Sequence, residues 1–303
     1  MGVAGCLALG VGATLTAQAP VHINGAIDKL QKGQALVGAI MYDFSLYAAR
    51  QFATSDLDII ILDMEHQALD FERLQMFFLG MTDKSAIAKQ GNLQMQVPPI
   101  VRIPTYGRDI NESIVKQVLD IGAFGIMYPA IETADQALAA VRASRYPPVR
   151  GAAQPEPRGV RGNGNMPASW FWGLSRPEYS LRADTWPLNP RGELLLLMQI
   201  ETIEGVKNAE AIARVPGVGM IFVGPNDLSQ ALGVPGGHPD HEAAIQQVLK
   251  VCLATKVPCA ITVTAADVAK RLKEGFKFVS LPSGGLEVQM DDARKIARSS
   301  MPR

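Results

Sequence analysis

The sequence predicts a (β/α)8 barrel on three observations. From residue 23 onward, short apolar runs alternate with amphipathic stretches. There are eight such runs, the number a closed barrel of this type needs. The side chains with chemical potential fall directly behind them. A doubly wound open sheet is the competing architecture. It requires a glycine-rich phosphate loop after its first strand, and no Gly-x-Gly-x-x-Gly pattern follows the run at 35–42.

In chain order, the expected strands are 35–42, 57–62, 99–103, 124–128, 194–200, 220–223, 258–263 and 278–281. Most are bounded by Gly or Pro, and unbroken apolar character suits parallel strands buried on both faces. Helical signals lie between them. Thr133-Ala134-Asp135-Gln136 reads as a capping box opening a helix over 134–145, which Pro147-Pro148 stops. Residues 114–119 read as a helix ending at Asp120. Residues 242–254 and 265–274 carry apolar side chains at three-to-four spacing, the latter closed by Gly275. The segment 147–192 breaks the alternation with several Pro, Gly and Arg residues and all three tryptophans, Trp170, Trp172 and Trp186. A long irregular stretch inside a compact domain is commonly a lid or a subunit contact. The expectation is an insertion over the barrel mouth, within one barrel domain spanning 23–303.

The 303 residues carry 29 basic and 29 acidic side chains with no long block of either sign. That excludes a nucleic-acid groove or a polybasic membrane patch as the main business of the chain. Cys6, Cys252 and Cys259 are too few and too poorly spaced for a disulfide framework or a zinc cluster. Residues 1–19 hold no charged side chain and end Ala17-Gln18-Ala19, which fits an export signal. No basic residue precedes the apolar stretch, and Pro20 follows the cut, so a disordered leader on a cytoplasmic protein is the alternative.

Two acids carry most of the functional signal. Glu201 closes the run at 194–200, and Asp227 follows the run at 220–223 through Gly224-Pro225-Asn226. Hard oxygen ligands from consecutive βα units, with no sulfur nearby, suit Mg²⁺, Mn²⁺ or Co²⁺. The alternative is a pair of helix-capping acids. His66 follows the run at 57–62 in Asp63-Met64-Glu65-His66, where neighbouring acids can hold its tautomer for proton transfer. Arg102 ends the run at 99–103 and needs an anionic partner, either an internal carboxylate or a substrate. Asp120, an acid at a helix C-terminus, opposes the macrodipole and hints at a role other than stability. No lysine ends an expected strand, so a Schiff base lacks its nucleophile and a metal would have to serve as electron sink.

These residues resemble the HpcH/HpaI class II aldolases. The resemblance runs from about Val37 to about Leu286. It rests on Leu62-Asp63-Met64-Glu65-His66, Val115-Lys116-Gln117-Val118-Leu119-Asp120-Ile121-Gly122, Arg145-Tyr146-Pro147-Pro148, Gln199-Ile200-Glu201-Thr202 and Gly224-Pro225-Asn226-Asp227-Leu228-Ser229. It implies a metal-dependent carbon–carbon lyase that cleaves a 4-hydroxy-2-oxo acid reversibly to pyruvate and an aldehyde. It further implies Glu201 and Asp227 as metal ligands, and His66 with Asp120 in proton transfer, the latter reaching a neighbouring subunit's site through a water. Asp63 stands beside His66 in the same motif. Arg102 would contact the oxo-acid end and steady the enolate. Gln199, Gly224 and Asn226 would shape the pyruvate pocket. The family assembles as hexamers of dimers that exchange a terminal helix. Two departures, Gln67-Ala68 after the histidine and a second Arg-Gly stretch at Arg158-Gly159-Val160-Arg161-Gly162, are expected to bear on the aldehyde. A citrate-lyase-β-like acyl-CoA lyase and a non-catalytic exported barrel that binds oxo acids are the alternative functions.

Overall fold

The structure, a computed structural model, describes residues 21–106, 111–281 and 295. Residues 1–19, where the sequence points to a leader, lie outside them. The strands are β1 Leu36–Met41, β2 Ile59–Asp63, β3 Pro99–Arg102, β4 Gly125–Tyr128, β5 Thr185–Trp186, β6 Leu194–Ile200, β7 Met220–Val223, β8 Cys259–Thr262 and β9 Phe278–Leu281. Eight of them close into a parallel barrel in the order β1-β2-β3-β4-β6-β7-β8-β9, with β9 hydrogen-bonded back to β1. All eight expected runs are barrel strands. The two-residue β5 is an addition that pairs with the start of β6.

Every residue of β1, β2, β3, β4, β6, β7 and β9 is buried. Burial on both faces is why these runs are continuously apolar rather than alternating. The helix Ala134–Ser144 opens with the expected capping box: Thr133 Oγ1 accepts from the Gln136 N–H, and Gln136 Oε1 accepts from the Thr133 N–H. Helix Pro239–Thr255 contains the expected 242–254. The expected 265–274 divides into a 3₁₀ turn, Ala265–Asp267, and a helix, Val268–Glu274, which Gly275 ends at φ +113°.

The segment 147–192 does not cover the mouth. It leaves the C-terminal end of helix Ala134–Ser144 and returns at the start of β6. A helix in this fold runs antiparallel to the strand before it, so an addition between helix and next strand begins and ends at the base of the barrel. Its contacts lie there. Trp172 stacks on Phe124, one residue ahead of β4, with centroids 4.3 Å apart, and donates its indole N–H to the Gly122 carbonyl at 2.8 Å. The Tyr179 hydroxyl donates to the Leu119 carbonyl at 2.9 Å. The segment is also more regular than the sequence suggests, containing the helices Met166–Trp172 and Arg176–Arg182. Buried Arg145 pins it by donating to Asp184 and to the carbonyls of Pro157 and Gln154.

The base is closed by a second network. Glu193, fully buried just ahead of β6, pairs with His22 Nδ1 and accepts from the backbone N–H groups of Ile23 and Asn24 and from Arg182. Among the described residues, no helix is long and apolar enough to cross a membrane.

Candidate active site

The strand ends at the opposite rim converge on one cavity of about 350 Å³. His66, Arg102, Gln199, Gly224, Asn226 and Asp227 line it, with Tyr42 from the end of β1 and Thr262 from the end of β8. Barrel geometry explains the convergence: parallel strands all deliver their C-terminal residues to the same face.

Register places Asp63 beside Arg102, the last residues of β2 and β3. Arg102 donates from Nε and Nη2 to the two oxygens of Asp63, both at 2.7 Å, in a bidentate pair that is almost wholly buried. Burial alone would weaken the guanidinium charge; the hydrogen bonds and charge of Asp63 raise its pKa instead. Asp63 therefore anchors Arg102 and does not hold His66, correcting the role its sequence position suggests. Its Oδ1 also accepts from the Glu65 N–H at 3.0 Å, which fixes the turn carrying Glu65 and His66.

Of the two acids expected beside His66, Glu65 is the one that meets it. Its carboxylate lies 3.3 Å from Arg102 Nη1 and 3.6 Å from His66 Nε2, and accepts from Thr105 Oγ1 at 3.3 Å. Burial raises its pKa, against the pull of Arg102 and His66. His66 itself is exposed at the cavity wall.

Glu201 is 6% exposed. It is no helix cap, because Thr202 caps the following helix through the Gly205 N–H. Its carboxylate accepts instead from Gln199 Nε2 and from the Ala130 N–H at 2.9 Å. Ala130 adopts φ +53°, a conformation rare outside glycine, and so aims its N–H at the acid. Among the described residues, no cation pairs with Glu201. Burial, then the charges of Glu65 and Asp227, push its pKa up to about 8. Asp227 stands in the first turn of helix Pro225–Leu232, behind Gly224, which offers no side-chain cap. A Cβ at Gly224 would stand 2.5 Å from Glu201 Oε2, so only glycine leaves the acid its place.

This donor set fits a hard divalent ion. Two carboxylates crowd one another without a cation, and Gln199 Oε1 is buried with no hydrogen-bond partner. Among the described residues, no three His, Cys, Asp or Glu side chains surround one point. Two protein carboxylates leave room for water and a chelating substrate.

Asp120 is not brought to this cavity within the chain. It ends helix Glu112–Asp120 at the base, 3.0 Å from Arg161 Nη2 and 3.6 Å from Lys116 Nζ. The second Arg-Gly stretch, which contains Arg161, is at the base with it and does not line the cavity.

Residues 43–289 match the model of the HpcH/HpaI aldolase/citrate lyase family. The chain belongs to that family. It is similar to a 2-keto-3-deoxy-L-rhamnonate aldolase from Klebsiella pneumoniae, 32% identical over 83% of this chain and 84% of the relative. A hydroxypyruvate/pyruvate aldolase from Pseudomonas aeruginosa is 32% identical over 86% of each chain. Among solved structures, an HpcH/HpaI family protein from Burkholderia cenocepacia superposes with a TM-score of 0.71 at 28% identity, covering 91% of this chain and 96% of that one. The HpcH/HpaI match thus spans the strand ends that carry His66, Arg102, Glu201 and Asp227 and makes the chain an enzyme of the aldolase/lyase class. Sequence reasoning missed one contributor to the site: Ala130 carries no signal, because any residue supplies a backbone N–H.

Proposed function

We propose that the chain is a divalent-metal-dependent lyase that cleaves 4-hydroxy-2-oxo acids reversibly to pyruvate and an aldehyde. The observation that carries this is Glu201: a buried carboxylate facing two other acids and, among the described residues, no paired cation, beside an unpartnered Gln199 oxygen. A cation held by Glu201 and Asp227 would supply Lewis-acid polarisation of the 2-oxo group. Mg²⁺, Mn²⁺ and Co²⁺ all suit two carboxylates completed by water and substrate. Gln199 and the open backbone at Gly224 and Asn226 form the wall against which the oxo-acid end rests. Arg102, locked by Asp63 on one edge, turns Nη1 toward Glu65 and the cavity, where its fixed charge offsets negative charge developing on the substrate. His66, beside Glu65 at the wall, moves the proton of the 4-hydroxyl. Asp120 has a place in this scheme only across a subunit contact, and we infer a homo-oligomer, a hexamer by family resemblance, in which it meets a neighbour's cavity. The relatives' names, aldolases for 2-keto-3-deoxy-L-rhamnonate and hydroxypyruvate/pyruvate, support a small oxo acid as substrate.

The test needs no knowledge of the aldehyde. The enzyme should exchange the methyl protons of pyruvate with deuterated solvent, followed by proton NMR, only when a divalent metal is supplied. His66→Ala should slow that exchange roughly 10²-fold or more, the usual contribution of a positioned proton-transfer group. Exchange no faster than in buffer would reject the reading.

A further inference from the structure

Gln199 and Ala130 hold the Glu201 carboxylate, but Asp227 has no such support. Among the described residues its carboxylate makes no hydrogen bond or ion pair. Its place is therefore set by its backbone, the first turn of helix Pro225–Leu232. That turn is weakly secured from within the helix. Gly224 offers no side-chain cap, and Pro225 has no N–H to give.

His241 supplies the restraint. Its setting in Gly236-Gly237-His238-Pro239-Asp240-His241 suggests a surface residue, yet it is only 5% exposed. It stands in the first turn of helix Pro239–Thr255. Nδ1 accepts from the Gly237 N–H at 3.2 Å, and Nε2 lies 2.8 Å from the Pro225 carbonyl. The partners fix the tautomer. An amide N–H can only donate and a carbonyl can only accept, so Nδ1 carries the lone pair and Nε2 the proton. Pro225, Asn226, Asp227 and Gln230 line the cavity, whereas His241 does not. The imidazole thus grips the Asp227 turn from outside the cavity.

We propose that His241 is a positioning residue for the cation: by donating to the Pro225 carbonyl it fixes the turn that presents Asp227, and it touches neither metal nor substrate. The proposal rests on the lyase reading above, in which Glu201 and Asp227 share a divalent ion. Groups that orient the ligands of a metal are typically worth about 10–100-fold in its affinity. A hold on the ligand's backbone, two residues away, belongs at the lower end of that range.

The experiment is Mn²⁺ binding by the full chain, read from the EPR signal of free Mn²⁺, alongside urea unfolding. Glutamine carries an amide N–H to about the place of Nε2 and so keeps the donor to Pro225. Asparagine, one carbon shorter, keeps only an acceptor for the Gly237 N–H. His241→Asn and His241→Ala should weaken Mn²⁺ binding roughly ten-fold. His241→Gln should stay within about two-fold of wild type, because the neutral hydrogen bond to Pro225 is restored. Each amide loses one of the two bonds of the imidazole, so a purely structural role would move their stability and their Mn²⁺ affinity alike. Equal Mn²⁺ affinity in the Asn and Gln variants, or wild-type affinity in the Ala variant, overturns the proposal. Should His241→Ala fail to fold, the comparison of Asn with Gln decides it. Pyruvate proton exchange by the wild type separates the failures. Metal-dependent exchange with indistinguishable variants sinks this inference alone, and a wild type that neither binds Mn²⁺ nor exchanges sinks the lyase reading together with it.

Discussion

Glu193 and Glu201 flank the same strand, one just ahead of β6 and one just behind it, and are 0% and 6% exposed. Glu193, at the base, is met by an arginine, a histidine and two backbone N–H groups. Glu201, at the mouth, is met by one amide side chain and one backbone N–H, and the charges that act on it are those of two further acids, Glu65 and Asp227. Burying a carboxylate is costly in either place. At the base the chain offsets that cost with its own donors. At the mouth it leaves the cost standing, for a ligand to offset. The pattern extends beyond the pair. Arg145 with Asp184 and Arg161 with Asp120 add ion pairs to the base, whereas His66 and Asp227 stand exposed at the mouth. Stability is concentrated at one rim of the barrel and reactivity at the other.

The largest expected effect is on folding. Glu193→Ala should destabilise the protein by about 3–5 kcal/mol in urea unfolding, because it leaves Arg182, His22 and two backbone donors without their acceptor. Catalysis in the surviving folded fraction should be unchanged, since Glu193 lies at the far end of β6. A loss under 1 kcal/mol would mean the base is not the stabilising rim.

Glu201→Gln should do the reverse. Metal-dependent turnover should fall roughly 10²–10³-fold, as when a charge-stabilising group is removed from an active site. The metal-free variant should nonetheless be more stable than wild type at pH 8, by roughly 1–3 kcal/mol, because a buried charge facing other acids is gone. Mn²⁺ should raise the melting temperature of wild type and leave the variant's where it was. A variant less stable than wild type without metal would show that Glu201 is a structural acid like Glu193.

How much of this contrast the sequence displays depends on what each part needs. Strands buried on both faces must be continuously apolar, so all eight were visible. Glu201, Asp227, His66 and Arg102 were visible because polar residues just behind such strands are conspicuous. Partnership was not. Asp63 is adjacent in sequence to the His66 motif but opposite Arg102 in register, and register is a property of two strands together. The place of 147–192 was legible in principle, because a helix precedes it and a strand follows. Its composition suggested a lid, but its position in the chain order decides its rim. The helices within it were hidden because their apolar faces pack on each other and on Phe124, a partner distant in sequence.

The subtlest prediction concerns pH. Without metal, Glu201 titrates near 8 in the folded protein against 4.5 as a free side chain, with burial the first cause. Between those values the folded state holds a proton that the unfolded chain has released. Stability of the metal-free protein should therefore fall as pH rises through that interval, by at most about 1.4 kcal/mol per unit from this group, and level off above pH 8. A divalent ion must displace the same proton. Its apparent affinity should climb about ten-fold per pH unit from 6 toward 8 and then flatten. With saturating Mn²⁺ the carboxylate is ionised throughout, and the component of the stability slope due to Glu201 should vanish. Urea unfolding at pH 6, 7 and 8, with chelator and with Mn²⁺, measures both. Glu201→Gln supplies the control, since it should differ from metal-free wild type by this slope alone. Identical slopes in the two proteins would mean that Glu201 is ionised without a cation, and the two ends of β6 would then handle their acids alike.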